Sequence, residues 1–209
     1  MRYFHLALEA IFKYLFDIHD RFEQNGFITM AKRVPKSDPA TAKVNGIEIT
    51  YDTFGDPQDL PLLLIVGLGQ QLVSWDEEFC ANIAGNGYWV IRFDNRDSGL
   101  STKCDEAGVP DMPTLFQALA GSTAIEAQYS LLDMADDALR LLDALGVSST
   151  HVVGESMGGM IAQRMAIHRA ARIRTLVSIM SSTGYPGLPP PTPEAMSILI
   201  NRPPTDRER

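Results

Sequence analysis

The sequence predicts an α/β fold, a mostly parallel sheet flanked by helices. Residues 61–66 are apolar at every position and residues 88–93 are mostly apolar, as in strands buried on both faces. A stretch at 130–145 has the apolar periodicity of an amphipathic helix, and the strand-like residues 150–153 turn abruptly into another helix-forming stretch. Strands that alternate with helices form a parallel sheet covered on both faces. Residues 173–180 are the last of six predicted strands.

The chain is expected to divide into a first segment, 1–40, and part of an α/β domain, 41–209. The domain begins with two strand-forming stretches that flank Asn45-Gly46, a pair suited to a type I′ hairpin turn. Its end, 184–209, is rich in proline, which cannot continue a sheet.

Residues 1–30 carry apolar side chains at helical spacing and predict an amphipathic helix, followed by a linker. Charged residues interrupt the apolar face well short of the roughly 18 apolar residues of a transmembrane span. We favour a helical appendage, or upstream sequence ahead of a true start at Met30. A peripheral membrane anchor is less favoured, because the polar face of the helix is not enriched in Lys and Arg.

Composition narrows the classes of partner. A formal net charge of −8 over 209 residues argues against nucleic acid or an anionic membrane. Cys80 and Cys104 form neither a disulfide framework nor metal-ligand spacing, so a reducing cytoplasm is expected, with no metal and no cofactor. Gly67-x-Gly69 is a weak dinucleotide motif, because Leu72 stands where a third glycine belongs.

The turn at Gly154-Glu155-Ser156-Met157-Gly158 predicts a nucleophile elbow, with a plain βα turn as the alternative. Such a turn lifts the serine Oγ clear of the sheet and needs a strained backbone at the serine, while the two glycines let strand and helix close on each other. The Met157 N–H, at the positive end of the helix, is expected to stabilise an oxyanion. Glu155 is expected to be a buried, hydrogen-bonded spacer that faces away from the serine.

Two loops at the carboxyl ends of neighbouring strands are expected to lie beside the serine. Gly67-Leu68-Gly69 predicts an oxyanion loop, in which the Leu68 N–H is the second donor and the glycines allow close approach of the backbone. The turn after the fourth strand, dense in Asp, Asn, Ser and Gly, is expected to be held by a network of Asp94 and Arg96 rather than to act in catalysis.

Two helices are expected between the fourth and fifth strands. One is a short helix at 113–120, in an otherwise irregular surface stretch. The other is the amphipathic helix at 130–145, whose polar side is expected to be solvated. The polar residues of that side are Asp133, Asp136, Asp137 and Arg140.

Taken together, these motifs resemble the α/β-hydrolase family over about residues 41–209. The resemblance is carried by the Gly-Leu-Gly loop at 67–69, the Asp-Asn-Arg-Asp-x-Gly-Leu-Ser turn at 94–101 and the elbow at 154–159. The form of the turn is similar to that of the subgroup of aclacinomycin methylesterase-type and related carboxylesterase-like proteins. Val66 departs from the common family pattern, which has His just before the oxyanion loop.

The resemblance implies a serine hydrolase for a small-molecule ester or a related acyl substrate. Ser156 would be the nucleophile, with the Leu68 and Met157 N–H groups as oxyanion donors, and water would hydrolyse the resulting acyl-enzyme. A serine at this position also argues against the dehalogenases and epoxide hydrolases of the same fold, which have Asp there.

A serine nucleophile needs a base, and the order in this family is Ser, then acid, then His. His168 lies about 18 Å from Ser156 along the predicted helix. His151 lies about 16 Å back along the strand, so both histidines are expected to be structural. His5 and His19 fall in the N-terminal segment.

The acid is missing as well, because Ser181, Ser182 and Thr183 follow the last strand and Glu194 lies in the proline-rich tail. The chain is therefore expected to be the N-terminal part of a longer hydrolase, in which 184–209 begins a cap region and further strands supply acid and base. There are two alternatives to a fragment of a longer hydrolase. The chain is either a catalytically incomplete binding protein or one half of a split enzyme.

Overall fold

The computed structural model describes five stretches of the chain: residues 34–108, 127–185, 187–189, 192 and 194. The helices predicted at 1–30 and 113–120, and most of the expected cap region, lie outside these residues. By its internal contacts the chain divides after Pro35, and every element described below belongs to the unit Lys36–Arg209.

Six strands form one sheet within the described residues. They are Ala40–Val44 (β1), Ile47–Phe54 (β2), Leu60–Ile65 (β3), Tyr88–Phe93 (β4), Thr150–Glu155 (β5) and Ile173–Ile179 (β6). Their order across the sheet is β1-β2-β4-β3-β5-β6. β2 pairs antiparallel with β1 and β4, and the other neighbours pair in parallel. The predicted α/β class with a mostly parallel sheet is confirmed.

The first hairpin closes through the predicted pair. Asn45 and Gly46 both have positive φ, 47° and 78°, and Val44 pairs directly with Ile47. Positive φ at both central residues is the signature of a type I′ turn, whose twist matches that of the flanking strands.

Three α-helices connect the parallel strands of the described part: Glu77–Gly85 (α1), Leu131–Ala144 (α2) and Met157–His168 (α3). The apolar periodicity of the sequence does not predict α1. Its signal is Asp76, whose carboxylate accepts the Glu78 and Phe79 N–H groups at 2.8 and 3.3 Å, followed by two acidic residues in the first turn. α2 begins with a capping box between Ser130 and Asp133.

The helices cover both faces of the sheet. α1 packs against β4 and β2, whereas α2 and α3 pack against each other and against β1, β5 and β6. In β3, Leu63 and Ile65 belong to the core that includes α2 and α3, and Leu64 is equally inaccessible. Because successive side chains of a strand point to opposite faces, Leu64 is buried on the α1 side.

The polar side of α2 is not wholly solvated, and the expectation for Asp137 is wrong. This carboxylate is 1% exposed and binds the Arg96 guanidinium through two hydrogen bonds of 2.5 and 2.7 Å. Asn45 Nδ2 donates a third bond, of 2.8 Å. The hairpin turn and the loop after β4 both reach this part of the helix, so the charge is buried with partners rather than hydrated.

β6 lies at one edge of the sheet. Its residues are half-buried or exposed along its whole length, and Val177 is 48% exposed. Within the described residues nothing pairs with its outer side.

Candidate active site

Ser156 lies at a sharp turn between the last residue of β5 and the first residue of α3. Its φ is 51° and its ψ −119°, a conformation that residues with a Cβ rarely adopt. The turn is fixed on both sides, because the Ser156 N–H donates to Ile179 O at 2.9 Å and Ser156 O accepts the Gly159 and Met160 N–H groups. Backbone strain held in this way is typical of functional sites.

Gly154 and Gly158 allow the strand and the helix to meet. A Cβ at Gly154 would lie 2.3 Å from Gly158 O, and one at Gly158 would lie 2.2 Å from Ile65 O on β3. Both contacts are with backbone, which cannot rotate away as a side chain can. The close approach that holds Ser156 at the end of the sheet is therefore possible only with glycine at these positions.

The Gly-rich loop after β3 lies directly against the serine. A Cβ built on Gly67 would come within 3.2 Å of the Ser156 Cβ, and Gly69 has a φ of 68°. Leu68, between them, is 65% exposed. The predicted donor roles of Leu68 and Met157 stay predictions, but both residues belong to segments that adjoin Ser156.

A cavity of about 290 Å³ opens beside this loop. Its lining combines the loop, the start of the turn after β4, the two residues just before α2, the first turn of α2 and the first residue of α3. These are Gly67, Leu68, Gly69, Asn95, Arg96, Asp97, Ser98, Tyr129, Ser130, Leu131, Met134 and Met157. Ser156 is not among these lining residues, but its neighbour Met157 is.

Tyr129, in this lining, contacts one positive and one negative side chain. The Arg96 guanidinium lies 5.3 Å from the centre of its ring, and its hydroxyl donates to the Asp97 carboxylate at 3.3 Å. Burial, reinforced by the Asp97 charge, raises the pKa of Tyr129 to about 12. The phenol is therefore neutral near pH 7 and serves as a hydrogen-bond donor.

Asp94 and Arg96 hold the turn after β4 through separate contacts, rather than through one shared network. The Asp94 carboxylate accepts the Leu72 N–H at 2.7 Å and the Leu100 N–H at 2.8 Å. Arg96 pairs instead with Asp137 on α2. Asp94 thus joins the turn to the segment after the Gly-rich loop, and Arg96 joins it to the helix.

The two described histidines lie away from the serine. His151 is near the opposite end of β5, where its Nδ1 lies 2.7 Å from Thr175 Oγ1 and its ring packs edge-on against Tyr88. His168 is the last residue of α3 and is exposed. Among the described residues, then, no histidine is placed to accept the Ser156 proton. His5 and His19 lie outside these residues.

Glu155 is buried beneath the Gly-rich loop, as expected of a spacer. It is 4% exposed, and burial raises the pKa of its carboxyl group. Hydrogen bonds from the Gly67 N–H and from the Gln70 side chain act in the opposite direction on that pKa.

Sequence reasoning missed three polar residues that hold the Gly-rich loop. The Gln70 side-chain oxygen accepts the Gly67 N–H at 2.8 Å, and Gln70 O accepts the Ser98 hydroxyl at 2.5 Å. Asn95 Nδ2 donates to Val66 O at 3.2 Å. The only signal in the sequence was the position of these residues, next to the glycines or at the end of β4.

No group of three His, Cys, Asp or Glu side chains is arranged to hold a metal ion within the described residues. None of the described helices combines the length and apolarity that crossing a bilayer requires.

Comparison with known proteins identifies the fold and its relatives. The sequence profile of the α/β-hydrolase fold matches residues 61–209. The chain is 35% identical to rhodomycin D methylesterase of Streptomyces peucetius over 142 residues, which cover 67% of this chain and 42% of that protein. The chain thus spans about two-fifths of the length of this curated relative.

Two solved structures are similar in fold. One is a hydrolase from Pseudomonas aeruginosa, with a TM-score of 0.55 and 27% identity, covering 70% of this chain and 47% of that one. The other is the enol-lactonase from Burkholderia xenovorans, with a TM-score of 0.51 and 25% identity, covering 66% of this chain and 45% of that one.

Proposed function

Because the chain belongs to the α/β-hydrolase fold family, we propose that it contributes the nucleophile and the oxyanion loop of a serine hydrolase. The substrate class that we propose is a carboxylic ester or a related small-molecule acyl compound. The observation that carries this proposal is the left-handed backbone of Ser156, with a φ of 51°, directly against the Gly-rich loop.

The proposed reaction gives each of these groups the role that it has in serine hydrolases. Ser156 Oγ attacks the acyl carbon, and its proton passes to a base while the carbonyl oxygen becomes an oxyanion. The Met157 N–H at the start of α3 and the Leu68 N–H in the loop donate to that oxyanion. The alcohol then leaves, and water hydrolyses the acyl-enzyme. One oxyanion donor of this kind contributes roughly 10²- to 10³-fold in kcat.

The relatives support the ester class. One relative is a rhodomycin D methylesterase and one structural neighbour is an enol-lactonase, and a lactone is a cyclic ester. The cavity beside the loop is lined by Leu68 and Met157, the residues that carry the two proposed oxyanion donors. Two free cysteines, Cys80 and Cys104, support our proposal that the protein works in a reducing compartment.

We place the general base outside the described residues, because neither His151 nor His168 reaches Ser156. His5, His19, further sequence or a second polypeptide would then supply it. The proposal predicts that the 209-residue chain alone turns over a simple aryl ester slowly. Free imidazole, added as a base, would restore activity that depends on the serine.

The test is hydrolysis of p-nitrophenyl butyrate, with and without imidazole, by the wild-type chain and by Ser156→Ala. The wild-type rate is expected to stay close to the Ser156→Ala rate without imidazole. It should exceed that rate at least 10-fold, with saturation in substrate, when imidazole is present. Ser148→Ala, an exposed serine outside the site, should match the wild type.

Two other results would change the proposal. A Ser156-dependent rate without imidazole would show that the undescribed residues already supply a base, and His5→Ala and His19→Ala would locate it. Equal rates for wild type and Ser156→Ala at every imidazole concentration would contradict the nucleophile. The cavity would then favour the second candidate, a protein that binds a small ligand without turning it over.

A further inference from the structure

The chain turns sharply as it leaves β6, directly beside the elbow. Met180 has a φ of 41°, in the left-handed region that residues with a Cβ rarely adopt. Ile179, just before it, accepts the Ser156 N–H at 2.9 Å, which extends the pairing of β5 and β6 by one bond. This bond therefore joins the strained backbone of Ser156 to the strained turn at Met180.

The Gln163 side chain, on α3, holds the other side of this turn. Its Nε2 donates to Ser182 O at 3.1 Å and to Gly159 O, one turn back along the helix, at 3.2 Å. Both partners are carbonyl oxygens, which only accept, so the NH₂ end of the amide must face them. Gln163 thus ties the segment after β6 to the helix that begins at the elbow.

The segment after β6 also packs closely against the first turn of α3. A Cβ built on Gly159 would lie 2.6 Å from the Ser181 Cβ and 2.7 Å from the Ser181 Oγ. The glycine therefore lets the segment approach the helix, and the approach brings Ser182 O within reach of Gln163.

The turn at Met180 is held from both sides by the elbow and its helix. Strained backbone persists only where the surrounding structure fixes it. The Ser156 N–H bonds the residue before Met180, and Gln163 bonds the chain two residues after it. The Gly184 N–H donates to Ser182 Oγ at 3.1 Å, but that bond is local and does not attach the turn to the elbow.

We propose that Gln163 is a positioning residue, which fixes the backbone of Ser156. By holding Ser182 O against α3, it keeps Ile179 O in place as the acceptor of the Ser156 N–H. This inference rests on the proposed function and deepens it, because the direction of the serine Oγ follows from this backbone. A misplacement of a reacting atom by about 1 Å costs on the order of 10²-fold in rate.

The first test needs no activity, because amide hydrogen exchange followed by NMR reports directly on the Ser156 N–H. Gln163→Met removes the donor and keeps a similar length and helix propensity. We expect exchange at Ser156 to become about 10-fold faster than in the wild type, and exchange at Val152, buried within β5, to stay unchanged. The matched control is Arg164→Met, at the exposed next residue of α3, which should keep wild-type exchange at both amides.

Two results of this experiment would overturn the inference. One is equal exchange at Ser156 in the wild type and in Gln163→Met. The other is equally faster exchange at Ser156 and Val152, because that pattern shows a general loss of stability rather than release of the elbow.

A second variant separates the donor from the volume of the side chain. Gln163→Glu keeps the shape, but at about pH 7 its carboxylate only accepts and would face two carbonyl oxygens. Exchange at Ser156 should therefore be at least as fast as in Gln163→Met. Wild-type exchange in Gln163→Glu would show that the NH₂ group is not what holds the turn, and would overturn the inference.

The kinetic consequence is measured with the imidazole-dependent reaction. We expect kcat of Gln163→Met to fall about 10-fold while KM changes less than about 2-fold, because the defect lies in the placement of the nucleophile. Arg164→Met should keep both constants. Faster exchange at Ser156 with wild-type kcat and KM would overturn the positioning role.

The exchange measurements also separate this inference from the proposed function. If the wild type has no Ser156-dependent rate, the proposed function fails. Faster exchange at Ser156 alone in Gln163→Met would still support the hold of Gln163 on the serine backbone, and unchanged exchange would overturn it.

Discussion

Replacement of Gly158 by alanine is expected to lower the free energy of unfolding by about 3 kcal/mol. A loss of stability would be informative, because replacing glycine by alanine in an open helix interior ordinarily raises the free energy of unfolding by about 1 kcal/mol. Here the new Cβ would lie 2.2 Å from Ile65 O and 2.7 Å from Val66 O. Both atoms belong to the backbone at the buried end of β3, so relief requires α3 to move away from the sheet.

Urea unfolding followed by circular dichroism measures this loss. Gly146→Ala is the matched control: Gly146 has a φ of 72°, but a Cβ there would meet no atom within 4 Å. That variant should lose only about 1 kcal/mol, from backbone strain. If Gly158→Ala is as stable as the wild type or more so, α3 does not approach β3 as closely as described.

The second large effect is expected at the ion pair between Arg92 and Asp52. The two side chains are 1% and 2% exposed, and the guanidinium binds the carboxylate through bonds of 2.6 and 2.8 Å. Asp52→Ala leaves a buried arginine without its counter-charge, which costs about 3–5 kcal/mol. Glu77, 3.8 Å from the same guanidinium, is 62% exposed and cannot replace the lost carboxylate.

Asp136→Ala provides the contrast at an ion pair of similar chemistry. Asp136 pairs with Arg140 one turn along α2, and the side chains are 42% and 58% exposed. Solvent screens such pairs, so a change below about 1 kcal/mol is expected in the same urea experiment. Similar losses in Asp52→Ala and Asp136→Ala would contradict the claim that burial of the Arg92 pair determines the cost.

The fold could be predicted from the sequence because its main signals are local. The apolar run of β3, the Asn45-Gly46 turn and the periodicity of α2 each lie within one short window. α1 was missed because its apolar pattern is weak and its capping residue, Asp76, was not recognised as a start signal. Helical periodicity, in turn, could not reveal the burial of Asp137.

In the candidate site, too, local features could be predicted and contacts between distant residues could not. The elbow at Ser156 follows from a motif of consecutive residues, and the structure shows the strained backbone that the motif predicts. The hydrogen bonds from Asn95 Nδ2 to Val66 O and from the Ser98 hydroxyl to Gln70 O join residues far apart in the chain, so no spacing in the sequence indicates them. Likewise, the separate partners of Asp94 and Arg96 depend on how α2 and the Gly-rich loop pack.

Covalent labelling shows whether Ser156 is the nucleophile. The wild-type chain, Ser156→Ala and Ser148→Ala are treated with a fluorophosphonate in the presence of imidazole and measured by intact mass and peptide mapping. We expect one adduct, on the peptide that contains Ser156, in the wild type and in Ser148→Ala but not in Ser156→Ala. An adduct on another residue, or equal labelling of the wild type and Ser156→Ala, would contradict the assignment of Ser156 as the nucleophile.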